Sequence, residues 1–186
     1  MDAVATPTVL TRASIVRPRG LGEALRLRPA GEHDVETVGA FLRGLSPEAR
    51  YRRFHAGVAG VSDRVVGRLL TATPPARQTL VLERGRSRGL QIVGLAQYAR
   101  ENDSTAEVAL VVGDRWQRLG LGPRLLAALA EAAAPHYRTL SAYVQADNTP
   151  VLGLLRSATD GLVTQYQGSC IRLTWAARAT AAEVAA

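Results

Sequence analysis

A glycine turn wedged between an apolar strand and a Leu/Ala-rich helix restricts this chain more than any other feature. Gln117-Arg118-Leu119-Gly120-Leu121-Gly122 follows the apolar run Val108-Ala109-Leu110-Val111-Val112 and precedes a segment with helical character, Pro123 to Ala134. The order strand, turn, helix aims several backbone N–H groups and the positive end of the helix dipole at one place, which suits a phosphate or pyrophosphate. Glycines also end strands and open helices for local reasons, so the flanking chain has to decide what the turn holds.

Two glycine motifs are excluded by their missing parts. A phosphate-binding Walker loop needs Lys-Ser/Thr after its last glycine, and Gly122 is followed by Pro123-Arg124. A dinucleotide fingerprint needs a third glycine where this chain has Leu125, and a parallel βαβ start that the preceding meander does not supply.

The chain of 186 residues is long enough for one domain with a full core and too short for two ordinary ones. Its longest apolar helical stretch is broken by Glu131 and Pro135, so no membrane span is expected. The first two dozen residues hold Arg12, Arg17 and Arg19 without an apolar block of signal-peptide length, and a cytoplasmic address is the expectation. Cys170 is the single cysteine, and His33, His55 and His136 match no ligand spacing, so neither a disulfide nor a metal is expected. The net charge is +7, with every basic residue an arginine. Such a surface serves nucleic acid, an acidic protein or a polyphosphate cofactor equally, or reflects only compositional habit. Arginines spread along the chain, without clustered aromatic interleaving, rank nucleic acid last.

Read in order, residues 1–23 mix Thr, Pro, Arg and Gly without a period and are expected to form a flexible tail. Ala24 to Pro29 alternates like a half-buried strand. Asp34 is placed to cap a helix through Val35, Val38, Phe41, Leu42 and Leu45. Ser46-Pro47-Glu48 opens a second helix carrying Tyr51 and Phe54, and Ser62-Asp63 opens a third. Gln78–Glu83 and Gln91–Arg100 read as a hairpin, and Glu107–Val112 as the next strand. Thr139–Gln145 is predicted as a strand, Pro150–Ser157 as a short helix, and Leu162–Gln167 with Cys170–Trp175 as a final hairpin before an Ala-rich tail at 177–186.

Gln117 to Gly122 resembles the Gln/Arg-x-x-Gly-x-Gly/Ala motif of the Gcn5-related N-acetyltransferases (GNAT family), and the order of elements is similar over residues 24–176. Leu27-Arg28-Pro29 and the segment Leu45 to Phe54 further resemble the acetyltransferase domain of bacterial protein-lysine acetyltransferases. The resemblance implies a single α/β (α+β) domain with a mixed, mostly antiparallel sheet of six or seven strands, splayed at its centre and flanked by four to five helices. It implies acetyl-CoA as co-substrate, an amine acceptor, and a monomer or homodimer. Leu110, Val111 and Val112 would pair with the pantetheine arm. The N–H groups from Gln117 through Arg118, Leu119, Gly120, Leu121 and Gly122 would hold the pyrophosphate, with Arg118 and Arg124 adding charge. Pro123 departs from the family's usual residue and removes one donor. Asn148 matches the asparagine that contacts the cofactor near its thioester, and it reads equally as a helix N-cap.

An amine attacking a thioester must be neutral, yet a lysine ε-amine has a pKa of about 10.4, so the transfer gains from a base or a desolvating pocket, and a carboxylate is the obvious candidate. Glu107 heads the strand that would line the pantetheine arm and corresponds to the general base of lysine-acetyltransferase relatives; otherwise it is a solvated strand-end glutamate. The relatives' proton-donating tyrosine is replaced by Leu155. Tyr143 and Tyr98 are substitutes, or simply core aromatics. Tyr51 and Arg53 are candidates for touching the acceptor, or for helix packing and a solvated face. The expected activity is transfer of acetyl to protein lysines; the alternatives are a small-molecule amine acceptor and a non-catalytic CoA-binding regulatory module.

Overall fold

Leu80, Val81 and Leu82 are apolar in unbroken succession, which suits a strand covered on both faces. The computed structural model, which describes residues 13–20, 22–54, 61–71, 73–85 and 89–177, covers both. Leu80 and Leu82 enter a core with Tyr98, Val108, Leu125 and Leu129, while Val81 enters a second core with Val38, Leu42, Val66 and Leu95.

The strands are β1 (Ser14–Val16), β2 (Leu25–Pro29), β3 (Arg77–Arg84), β4 (Gln91–Arg100), β5 (Thr105–Val112), β6 (Thr139–Gln145), β7 (Val163–Gln167) and β8 (Cys170–Ala176). They form one sheet in the order β1-β2-β3-β4-β5-β6-β8-β7. Every pairing is antiparallel except β5 with β6. The helices α1 (Val35–Arg43), α2 (Pro47–Phe54) and α3 (Asp63–Leu70) contribute to the Val81 core, and α4 (Leu121–Ala133) and α5 (Thr149–Ala158) to the Leu80 core. This is the mixed, mostly antiparallel α/β architecture expected, with eight strands rather than six or seven.

The added strand corrects the expected N-terminal tail. Ser14–Val16 pairs with Leu25–Leu27, and Val16 is buried, so the tail assignment fails there. At the other end Ala177 is buried and its N–H donates to Arg138 O at 2.9 Å, which places it in the domain. Residues 1–12 and 178–186, the rest of the expected tails, and His55 lie outside the described residues.

Asp34 does not cap α1 through its side chain. Its carboxylate accepts two bonds from Arg28, at 2.8 and 2.7 Å, and one from the Gly31 N–H at 3.0 Å. Arg28 also bonds Glu83 on β3 at 2.9 Å, so one guanidinium joins β2, β3 and the entry to α1. Asp34 and Glu83 are 3% and 2% exposed, and such buried carboxylates persist only when paired.

Candidate functional site

β5 and β6 start out as parallel neighbours and then separate. Their pairing is confined to Thr105 with Thr139, Ala106 with Leu140, and Glu107 with Ser141. Beyond Glu107, β5 continues against β4 as far as Val112, and β6 continues against β8 as far as Gln145. The facing edges of 108–112 and 142–145 therefore make no strand–strand bonds to each other, and extended backbone edges of this kind accept an added strand-like chain. The fork opens a cleft of about 890 Å³ that reaches both faces of the sheet. Its lining runs from Ala49, Arg53 and Phe54 on α2 to Leu126 on α4 and Leu154 on α5.

At one end of this cleft lies the glycine turn. Gly120 is left-handed (φ 76°) and acts as the N-cap of α4, and Arg118 is also left-handed (φ 61°). The helix starts at Leu121, two residues before the predicted start, because the left-handed glycine reverses the chain without a Cβ penalty. Pro123 consequently occupies the third helical position. The N–H it lacks would have had no intrahelical partner there, so the helix loses no bond of its own. The Gly120, Leu121 and Gly122 N–H groups remain without intrahelical acceptors. Ser62 and Asn148 cap α3 and α5 through their side chains, whereas α4 has no side-chain cap and no acidic residue in its first turn. An anion is what this helix terminus lacks. Gly122 packs closely on α5, since a Cβ there would lie 3.3 Å from Leu154.

The chain N-terminal to β2 supplies a cation to the same place. The Arg19 N–H donates to Leu119 O at 3.1 Å, and the Arg19 side chain passes 3.8 Å from the position a Gly120 Cβ would take. Arg19 lines the cleft with Arg118. Sequence reading missed it, because a hydrogen bond between residues a hundred positions apart leaves no local signal.

Glu107 stands at the fork, exposed to the cleft. Its neighbours Ala106 and Val108 point into the α4-side core, which by strand alternation turns Glu107 toward the face carrying α1, α2 and α3. Arg53 lines the cleft on that face, and its Nε is enclosed without a hydrogen-bond partner. Burial lowers its pKa to about 10, against the opposing pull of Glu107 and with the help of Arg77's like charge. Arg52 Nη1 donates to Asn148 Oδ1 at 3.1 Å, and Arg52 Nη2 pairs with Glu48 at 2.6 Å. Asn148 Oδ1 also accepts the Val151 N–H at 3.5 Å, so the helix-cap reading of Asn148 holds, and Asn148 lines the cleft as well.

Of the residues singled out in the sequence, Glu107, Leu110, Val111, Val112, Gln117, Arg118, Gly120, Leu121, Gly122, Asn148, Arg53 and Tyr143 all line this one cleft. Leu119, Arg124 and Tyr51 do not line it. Tyr51 is 51% exposed, because the α2 face that meets the cleft carries Ala49, Arg52 and Arg53, and Tyr51 falls off that stripe. Tyr98 is a core residue, fully buried with its ring edge-on to Tyr137 at 5.8 Å and its hydroxyl unpartnered. Burial, then the neighbouring Tyr137, pushes its pKa up to about 12, and it has no access to the cleft. Leu155 is buried on the cleft wall and offers no proton. Among the described residues no cluster of His, Cys, Asp or Glu could hold a metal, and no helix is long and apolar enough to cross a membrane.

A forked sheet with an uncapped glycine helix start at one end and a carboxylate at the fork is the build of a transferase that holds an extended, anionic acyl donor. Residues 46–158 match the family model described as acetyltransferase (GNAT) family, and the chain belongs to that family. Acetyl-CoA is the co-substrate this membership brings, and the strand-like edges together with the anion-seeking turn fit it. The fold is similar to that of the GNAT domain of Streptomyces lividans PAT, at 24% identity and a TM-score of 0.77, covering 88% of this chain and 96% of that one. A variant of a cAMP-binding acyltransferase from Mycobacterium smegmatis is 26% identical with a TM-score of 0.59; the match covers 89% of this chain but only 47% of that one. A spermidine N-acetyltransferase from Vibrio cholerae, in complex with CoA and spermine, is 15% identical with a TM-score of 0.64, covering 82% and 95%. No match is found among curated protein sequences.

Proposed function

We propose that this acetyltransferase transfers the acetyl group of acetyl-CoA to lysine ε-amines of proteins by direct attack, with Glu107 as general base. The observation that carries the reading is that Glu107 and the Gln117–Gly122 turn open onto one cleft from opposite faces of the sheet. The Gly120, Leu121 and Gly122 N–H groups hold the pyrophosphate, with Arg118 and Arg19 neutralising it. The free edge of Leu110, Val111 and Val112 orders the pantetheine arm along β5. The acetyl thioester is the electrophile that acetyl-CoA supplies. Glu107 takes the proton from the incoming ammonium, directly or through water, so that a neutral amine attacks at the fork. In this reading Tyr143, which lines the β6 side of the cleft, returns a proton to the departing thiolate, since Leu155 cannot.

A lysine acceptor is favoured over a polyamine by the charge at the fork, where Glu107 is the sole carboxylate among the described lining residues and has the cation Arg53 on the same wall. A cleft for polycations would be acidic. Purified protein is to be incubated with acetyl-CoA and a bacterial protein extract, with acetyl-lysine read by mass spectrometry. Acetylated lysines whose yield collapses in Glu107→Gln, with CoA affinity retained, support the reading. Unchanged rates in Glu107→Gln remove Glu107 as base. Tight CoA binding with no turnover on proteins or on a broad amine panel marks a non-catalytic CoA-binding module instead.

A further inference from the structure

Arg53 is the cleft-lining guanidinium that the acetyl-transfer scheme leaves without a task. It makes no hydrogen bond or salt bridge among the described residues: the Phe54 ring lies 5.1 Å from the guanidinium carbon, and Glu107 acts on it only as a through-space charge. An enclosed guanidinium with an unpartnered Nε carries a desolvation cost, and an arriving anion relieves it. Arg52, by contrast, is already neutralised by Glu48 and held by Asn148.

The anion that suits Arg53 is not a phosphate of CoA. Arg53 stands on α2, on the face to which Glu107 points, whereas the uncapped helix start and Arg19 lie at the glycine turn on the α4 side. What reaches Glu107 from the α2 face is the acceptor, whose amine must come up to the carboxylate. Arg53 and the nearby Arg77 outweigh Glu107 there, and Arg77 too has an enclosed Nε without a partner. A bare ammonium entering this field is repelled, and a second positive charge on the acceptor makes the repulsion worse.

We propose that Arg53 is a specificity residue that selects acceptors presenting a carboxylate close to the amine to be acetylated. Resting on the lysine reading above, the carboxylate is that of an aspartate or glutamate flanking the target lysine; the same chemistry is offered by a free amino acid. The planar guanidinium of Arg53 pairs with the carboxylate while the amine is directed to Glu107. Charge compensation by the acceptor itself then replaces the acidic patch that this cleft lacks.

The test uses the full chain and capped peptides in which one lysine is flanked by Asp or Glu, by Asn or Gln, or by Arg, alongside free amino acids and their amides. The expected result is a kcat/KM for acidic flanks about tenfold above neutral ones, with Arg flanks lowest. Raising the salt narrows that ratio. In Arg53→Gln the ratio falls towards one, while Arg53→Lys keeps part of it and CoA affinity by calorimetry is retained in both. Wild-type protein that acetylates neutral and acidic peptides alike, or an acidic preference that survives in Arg53→Gln, overturns the proposal whether or not the variants fold well. Free amino acids acetylated in preference to their amides, with all peptides untouched, support the carboxylate requirement and overturn the lysine reading. Failure of every acceptor overturns both.

Discussion

Arg52 Nη1 lies 3.1 Å from Asn148 Oδ1 and donates to it, tying α2 to the start of α5 across the cleft. The same oxygen caps α5 by accepting the Val151 N–H, so one atom serves a local and a long-range purpose. Asn148→Ala is expected to cost about 1 kcal/mol from the lost cap, and to raise the acceptor KM because α2 loses its tether. A double-mutant cycle with Arg52→Ala, read by denaturant unfolding, is expected to show a coupling of at least about 0.5 kcal/mol. Strict additivity would mean the contact contributes nothing.

Gly120 is the left-handed cap of α4. A non-glycine residue there costs about 1–2 kcal/mol, and Gly120→Ala is expected to weaken CoA binding as well, because relief of that strain moves the N–H groups of the first turn. Calorimetric titration with CoA checks this.

Arg19 reaches the same turn from the segment before β2. Arg19→Ala is expected to lower CoA affinity by about tenfold at low salt, with the difference shrinking as salt rises, and to keep the rate at saturating CoA. Affinity measured at two ionic strengths tests both halves of the expectation.

The Asp34 carboxyl is pushed upward by burial, but the Arg28 guanidinium and the Gly31 N–H more than reverse this and hold it below its ordinary value. A depressed folded value means stability that is fully present above the unfolded carboxylate pKa of about 3.9 and is lost as pH falls through the folded one. Unfolding free energies measured from pH 7 to pH 2 should therefore drop in that window. Asp34→Asn should flatten the drop and cost about 3 kcal/mol at pH 7, since Arg28 loses a buried partner.

The Tyr98 hydroxyl is buried without a partner. Removing it in Tyr98→Phe relieves an unsatisfied group worth about 1–3 kcal/mol, so thermal stability should hold or rise with turnover unchanged. Lost turnover in a stable variant would return Tyr98 to the chemistry.

Much of the fold was legible because its signals are local. Alternation marks β2, the boundaries of β6 were read without error, and Ser62 and Ser46 sit where caps belong, whereas the start of α4 at the left-handed Gly120 was read two residues late. Asp34 misled because an N-cap and a buried ion-pair partner look the same in sequence. Its choice was made by Arg28, six residues earlier, and by the packing of β3. A length of three residues with a single buried side chain, Val16, concealed the edge strand β1, because so short a run carries no alternation to read.

Sequence alone determined the glycine turn, the strand before it and the carboxylate near that strand's start, which the structure puts two residues earlier at Thr105, because these depend on backbone preference and on spacings within a dozen residues. Tertiary structure decided the rest of the site. Only folding parts β5 from β6 after Glu107, brings Arg19 to Gly120, seats Arg52 on Asn148 and encloses the Arg53 Nε without a hydrogen-bond partner. Those relations join residues far apart in the chain, and burial and charge compensation, which set their energies, exist only once the sheet and its two layers of helices have closed around them.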